Sequence, residues 1–137
     1  MKQYYNLEDE EFELQFANSS LDPKLFSHEA HIRLAWIHIK KYGVNKAIDN
    51  IRKQLQNYVQ NLGISDKYNE TLTVAAIKTV NHFMQKSDFQ TFDEFISDNE
   101  KLKTNFRGII GQHYSFDIFQ SMEAKKKYLR PDLLDFT

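Results

Sequence analysis

From Ser27 to Gly43 the apolar and polar positions follow a helical period, and this stretch predicts the clearest helix of the chain. Spaced at about 100° per residue, His28, Ile32, Ala35, Ile39 and Tyr42 share one stripe. His31 and His38 lie at one edge of it, Trp36 at the opposite margin, and Glu29, Arg33 and Lys40 on a different side. Ser27 suits the cap, where a hydroxyl accepts a bond from a free N–H of the first turn. Gly43 suits the residue past the end. The inward face is therefore expected to be apolar lower down and imidazole-rich in its first turn.

Similar patterns place the other elements. Leu7–Asn18 predicts a short helix, with Phe12 and Phe16 one turn apart and Glu8–Glu11 where the helix dipole favours acids. Asn45–Leu62 predicts a second long helix capped by Asn45, with Ala47, Ile48, Ile51, Leu55, Tyr58, Val59 and Leu62 facing inward. A third runs from Asn69 or Glu70 to about Gln85, burying Leu72, Ala76, Ile77, Val80, Phe83 and Met84, with Asn69 and Thr73 on the same face. Beyond Ser87 the signals shorten. Thr91–Glu94 and Ser97–Glu100 have capping-box spacing, residues 98–113 are helix-like but interrupted by Gly108 and Gly111, and Ser115 and Ser121 are candidate caps of short helices. Pro131–Leu134 predicts an apolar tail over the surface, and residues 1–7 a loose lead-in.

The expected fold is all-α: one domain over residues 1–137, a compact bundle of three long antiparallel helices with shorter C-terminal ones. Short turns make successive helices antiparallel, so the first and third long helices run the same way. His28, His31, Asn69, Glu70 and Thr73 are then expected at one end of the bundle.

That cluster has two readings. As a site, His28 and His31 at i and i+3 can converge on one ligand, and the positive end of the helix dipole favours the neutral imidazole that binds metals or acts as a base. As structure, the histidines bond to neighbouring groups, Asn69 is a helix cap, and Thr73 bonds a carbonyl one turn earlier. The zinc-protease motif does not apply, because its histidines stand at i and i+4 and those of HEAH at i and i+3.

Composition narrows the chemistry. The 137 residues are 41% hydrophobic and 14% aromatic, enough for a core without disulfides. There is no cysteine, which removes thiol catalysis, thiolate metal sites and disulfides. A formal net charge of -1 argues against nucleic acid as a partner. No apolar run is long enough for a bilayer, and the acidic start MKQYYNLEDEEFE has no signal core, so a cytoplasmic protein without membrane partners is expected.

Several blocks together carry a resemblance: Phe26-x-His28-x-x-His31-x-x-x-Ala35-Trp36, Tyr68-Asn69-Glu70-Thr71-x-Thr73, Tyr114-Ser115, Ser121 with Ala124, and Pro131-Asp132-Leu133. Their order and spacing over residues 26–134 resemble a family of small bacterial proteins of unknown function. The resemblance implies an all-helical domain and no particular activity. That family's second block usually reads Tyr-His-Glu-Thr-x-Thr, and Asn69 stands here in place of its histidine. A three-histidine metal site would be incomplete, since Asn is a poor ligand for transition metals. The residues admit at most a weak divalent-metal site held by His28 and His31 and imply no other cofactor.

The functional expectation is a small ligand, or weakly a divalent metal, in a polar pocket built from His28, His31, Asn69, Glu70 and Thr73, with Tyr114 and His113 as later contributors. A catalytic version would use one histidine as base with Glu70 orienting it. The alternative is an interaction or regulatory module whose histidines are structural.

Overall fold

The computed structural model describes residues 7–86 and 88–136, which are all-α. The lead-in is thus outside the described residues except for Leu7, as are Ser87 and the last residue of the tail. Three long helices occur, α2 (His28–Tyr42), α3 (Val44–Asn61) and α4 (Glu70–Met84). A short α1 (Asp9–Ala17) precedes them. Four short helices follow: α5 (Phe92–Asp98), α6 (Lys101–Thr104), α7 (Phe106–Gly111) and α8 (Met122–Lys126). None of the described helices is long and apolar enough to cross a membrane. The chain, read from its length as one domain, divides by its contacts into two compact units, with the boundary along the chain between Tyr68 and Asn69.

In the first unit, α1 buries Phe12 and Phe16 completely. Phe16, Phe26 and Tyr58 pack ring to ring, with centroids 5.1 to 5.3 Å apart. The Tyr58 hydroxyl donates to the Leu21 carbonyl at 2.9 Å, so the ring is buried with its polar tip satisfied. Gly43 at φ 85 reverses the chain between α2 and α3, and His38 and Asn50 approach each other across that hairpin. The second long helix starts one residue before its expected cap: Asn45 lies inside α3, which follows directly on Gly43. The other end of α3 closes with Gly63 at φ 73, Ile64 N–H on the Val59 carbonyl and Gly63 N–H on that of Gln60. This paired closure is the Schellman arrangement, which satisfies carbonyls the helix leaves free.

Burial along α2 departs from the expected single stripe. Glu29, Ala30 and every residue from Ile32 to Ile39 are buried, whereas His28 and His31 are exposed. The imidazole-rich first turn therefore does not face inward as expected. His28 and His31 lie on the side of the first turn that stays in solvent, while Glu29 and Ala30 on its other side are buried. Arg33, expected on an outer side, is 4% exposed. Its charge is met by the Asp9 carboxylate at 2.8 Å, by the Leu7 carbonyl at 2.7 Å and by the Phe12 ring at 4.8 Å. A buried guanidinium with that many partners ties α1 to α2.

The core of the second unit gathers Ala75, Ile110, Tyr114, Ile118, Ala124 and Phe136, with Leu72, Phe106, Phe119 and Leu129 packed against it. Thr91 and Glu94 form the expected capping box of α5. Ser97 caps nothing, because it lies inside α5, and Glu100 starts α6 without a side-chain bond. The helix-like run 98–113 is split at Asn105 into α6 and α7. Ser121 caps α8 as expected, but the helix expected after Ser115 is absent from the described residues.

Candidate functional site

The sequence-derived site residues fall in both units. His28 and His31 belong to the first; Asn69, Glu70, Thr73, His113 and Tyr114 belong to the second.

His31 lays its ring on Phe26, with centroids 3.7 Å apart. Crowding of the ring, and secondarily the charge of neighbouring His28, hold its imidazole below the ordinary value. That direction keeps His31 neutral at pH 7, although solvent reaches the residue. What remains of the metal expectation is this exposed pair. Among the described residues no three His, Asp or Glu side chains gather as a metal would need. A different histidine of α2 is the buried one. His38 is 1% exposed, with Nδ1 3.5 Å from Asn50 Nδ2 and Nε2 without a partner. Burial lowers its pKa, opposed by the nearby Glu13 charge and aided by that of Lys41.

In the second unit the polar groups opening α4 have definite partners. Asn69 caps the helix by accepting from Leu72 N–H at 2.9 Å, and its amide donates to the Ile118 carbonyl, also at 2.9 Å. The Thr73 hydroxyl donates to the Asn69 carbonyl at 2.8 Å. This is the structural account of those two residues, with one addition: Asn69 also reaches 49 positions along the chain to Ile118. Glu70 is buried in the first turn of α4, where the dipole favours a carboxylate. Thr71, not among the expected site residues, is fully buried and donates to the Lys127 carbonyl at 2.7 Å while accepting from Leu129 N–H at 3.0 Å.

The remaining motif residues extend this frame. The Tyr114 hydroxyl donates to the Leu129 carbonyl at 2.7 Å, and burial, then the neighbouring Tyr128 and Asp132, push its pKa up. Ser115, expected as a helix cap, instead gives its N–H at 2.9 Å and its hydroxyl to the Asp132 carboxylate. Those bonds hold the Asp132 carboxyl below its ordinary pKa. His113 donates through Nδ1 to the Leu134 carbonyl at 2.7 Å and stacks on Phe136 at 4.2 Å. Thus the Asn-Glu-Thr-x-Thr, Tyr-Ser and Pro-Asp-Leu blocks act largely as hydrogen-bonded staples between α4, the 113–119 segment and the chain end.

The staples border a half-open pocket of about 210 Å³, lined by Arg107, Ile110, Gly111, Tyr114, Phe116, Asp117, Ile118 and Phe119. Tyr114 is the one sequence-derived site residue on its wall, and Asn69 holds the Ile118 wall through the backbone. Arg107 places its guanidinium carbon 3.9 Å from the Phe119 ring centroid. Nothing in the sequence points to Arg107.

No protein-family profile, no curated protein and no solved structure matches the chain.

Proposed function

We propose that this protein binds a small, mainly apolar molecule in the pocket between α7 and the 114–119 segment. The observation that carries the reading is the pocket itself: a recess of about 210 Å³ inside one compact unit, whose walls are mostly aliphatic and aromatic. Ligand sites are usually concave and apolar with few polar groups. The hydrogen bonds at its walls support the reading, since Ile118, held by Asn69, and Tyr114, tied to the Leu129 carbonyl, need little ordering on binding. Binding is favoured over catalysis because the Tyr114 hydroxyl, the lining phenol, is committed to a carbonyl and resists ionisation. A cytoplasmic setting suits a chain without cysteine.

The test is a fragment screen on the isotope-labelled full chain, read by amide and methyl chemical shifts. Ligands should perturb Ile110, Gly111, Ile118 and Phe119 together. A diverse apolar set that leaves those signals unmoved at millimolar concentration refutes the proposal. The second reading, an interaction module with structural histidines, draws on the exposed Leu133 and Leu134 of the tail, at 60% and 55%. Perturbation confined to residues 131–136 on adding a protein partner would favour it.

A further inference from the structure

We propose that the ligand of this pocket is a small carboxylate with a compact apolar body, held at its head by Arg107; this rests on the binding reading above. Among the described residues, two charged side chains line the pocket, Arg107 and Asp117. Asp117 is occupied within its own turn: Oδ1 accepts the Phe119 N–H at 2.9 Å. Arg107 is differently placed. Its Nη1 pairs with Asp117 Oδ1 at 3.9 Å, an ion pair too long for a hydrogen bond, so its N–H donors stay available to a second carboxylate. Stacking on Phe119 at 3.9 Å restrains the plane of the guanidinium and leaves its N–H edge available. A planar fork of N–H donors matches the two oxygens of a carboxylate better than a point charge does.

Size limits the rest of the molecule. A dry cavity of about 150 Å³ lined by aliphatic and aromatic groups accommodates benzene. A recess of about 210 Å³ therefore takes one six-membered ring or a branched chain of similar bulk, with room for a head group. A phosphate ester would call for several converging donors, and the lining offers one guanidinium. The walls are apolar on the remaining sides through Ile110, Ile118 and Phe119.

Benzoate and its neutral analogue benzamide are the probes, titrated into the full chain and into Arg107→Gln by heteronuclear NMR. Arg107 is exposed, so losing its contacts with Phe119 and Asp117 is expected to lower stability by no more than a small shift of the melting curve and to leave the fold intact. Benzoate should bind the wild type with shifts at Ile110, Ile118 and Phe119, and Arg107→Gln should weaken it about tenfold, equivalent to about 1.4 kcal/mol. Benzamide should bind more weakly than benzoate and respond little to the substitution. Equal binding of the two probes, or benzoate affinity indifferent to Arg107→Gln, overturns the carboxylate inference and leaves the pocket reading standing. If neither probe perturbs the pocket while other apolar fragments do, the carboxylate inference alone falls. If nothing binds there, both fall.

Discussion

Asn69 makes two bonds of different range with one side chain, and replacing it separates their contributions. Asn69→Ala removes the cap on Leu72 N–H, which contributes about 1 kcal/mol within a range of ~0.5–2. It also strips the Ile118 carbonyl of its donor at a buried position, which costs about 1–3 kcal/mol because water cannot substitute. Together the loss should be about 2–4 kcal/mol. With a urea slope of about 2 kcal/mol per molar, the unfolding midpoint of the transition that includes α4 should fall by about 1–2 M. Asn69→Ser provides the internal comparison. Serine caps as well as asparagine does but is too short to reach Ile118, so it should recover about 1 kcal/mol relative to alanine and leave the remaining loss. Both variants should also broaden the signals of the Ile118 wall. An alanine variant within about 0.5 kcal/mol of wild type would refute the reasoning, since surface changes without structural consequence fall in that range. So would a serine variant no more stable than the alanine one.

Thr71→Val preserves shape but leaves the Lys127 carbonyl and Leu129 N–H without their partner, and should cost about 2–4 kcal/mol in denaturant melts; a neutral result would show that the chain end is not stapled to α4. Arg33→Met removes a buried cation from Asp9 and the Leu7 carbonyl; because Asp9 is half exposed, about 1–3 kcal/mol is expected rather than the full loss of a sealed pair, measured by the same melts. The imidazoles of His31 and His38 both have lowered pKa values in the folded chain. The unfolded chain then takes up protons first, so stability is complete above about pH 6.5 and falls as pH drops from there toward the folded values. Melts at pH 7.5 and 5.5 should show this, with a shallower dependence in His38→Gln; an unchanged slope in that variant would remove His38 from the account. Gly111→Ala should raise stability by about 0.4–1 kcal/mol, because an added Cβ meets nothing within 4 Å and the unfolded chain loses freedom; destabilisation would mean that position 111 is closely packed.

Much of the local structure was determined by the sequence alone. Hydrogen bonds within a helix and its caps join residues at most a few positions apart. The Ser27, Asn69, Thr91 and Ser121 caps, the burial of Phe12 and Phe16, and the three long helices were therefore readable from spacing. Tertiary structure decided which faces were covered. Periodicity identifies the most apolar face of a helix but not how many neighbours will surround it. On that account α2 departs from its expected stripe: it is buried almost all round over residues 32–39, Arg33 and His38 included, and His28 and His31 are exposed. The pocket was invisible for a related reason. Its walls depend on bonds between positions far apart, Asn69 to Ile118 and Tyr114 to Leu129, and the chain end is fixed the same way by Thr71 to Lys127 and Ser115 to Asp132. In each case a polar side chain satisfies a group brought to it by the fold instead of one nearby in sequence. A serine reads as a helix cap when only its neighbours are known, and Ser115 bonds Asp132 because folding brings that carboxylate within its reach.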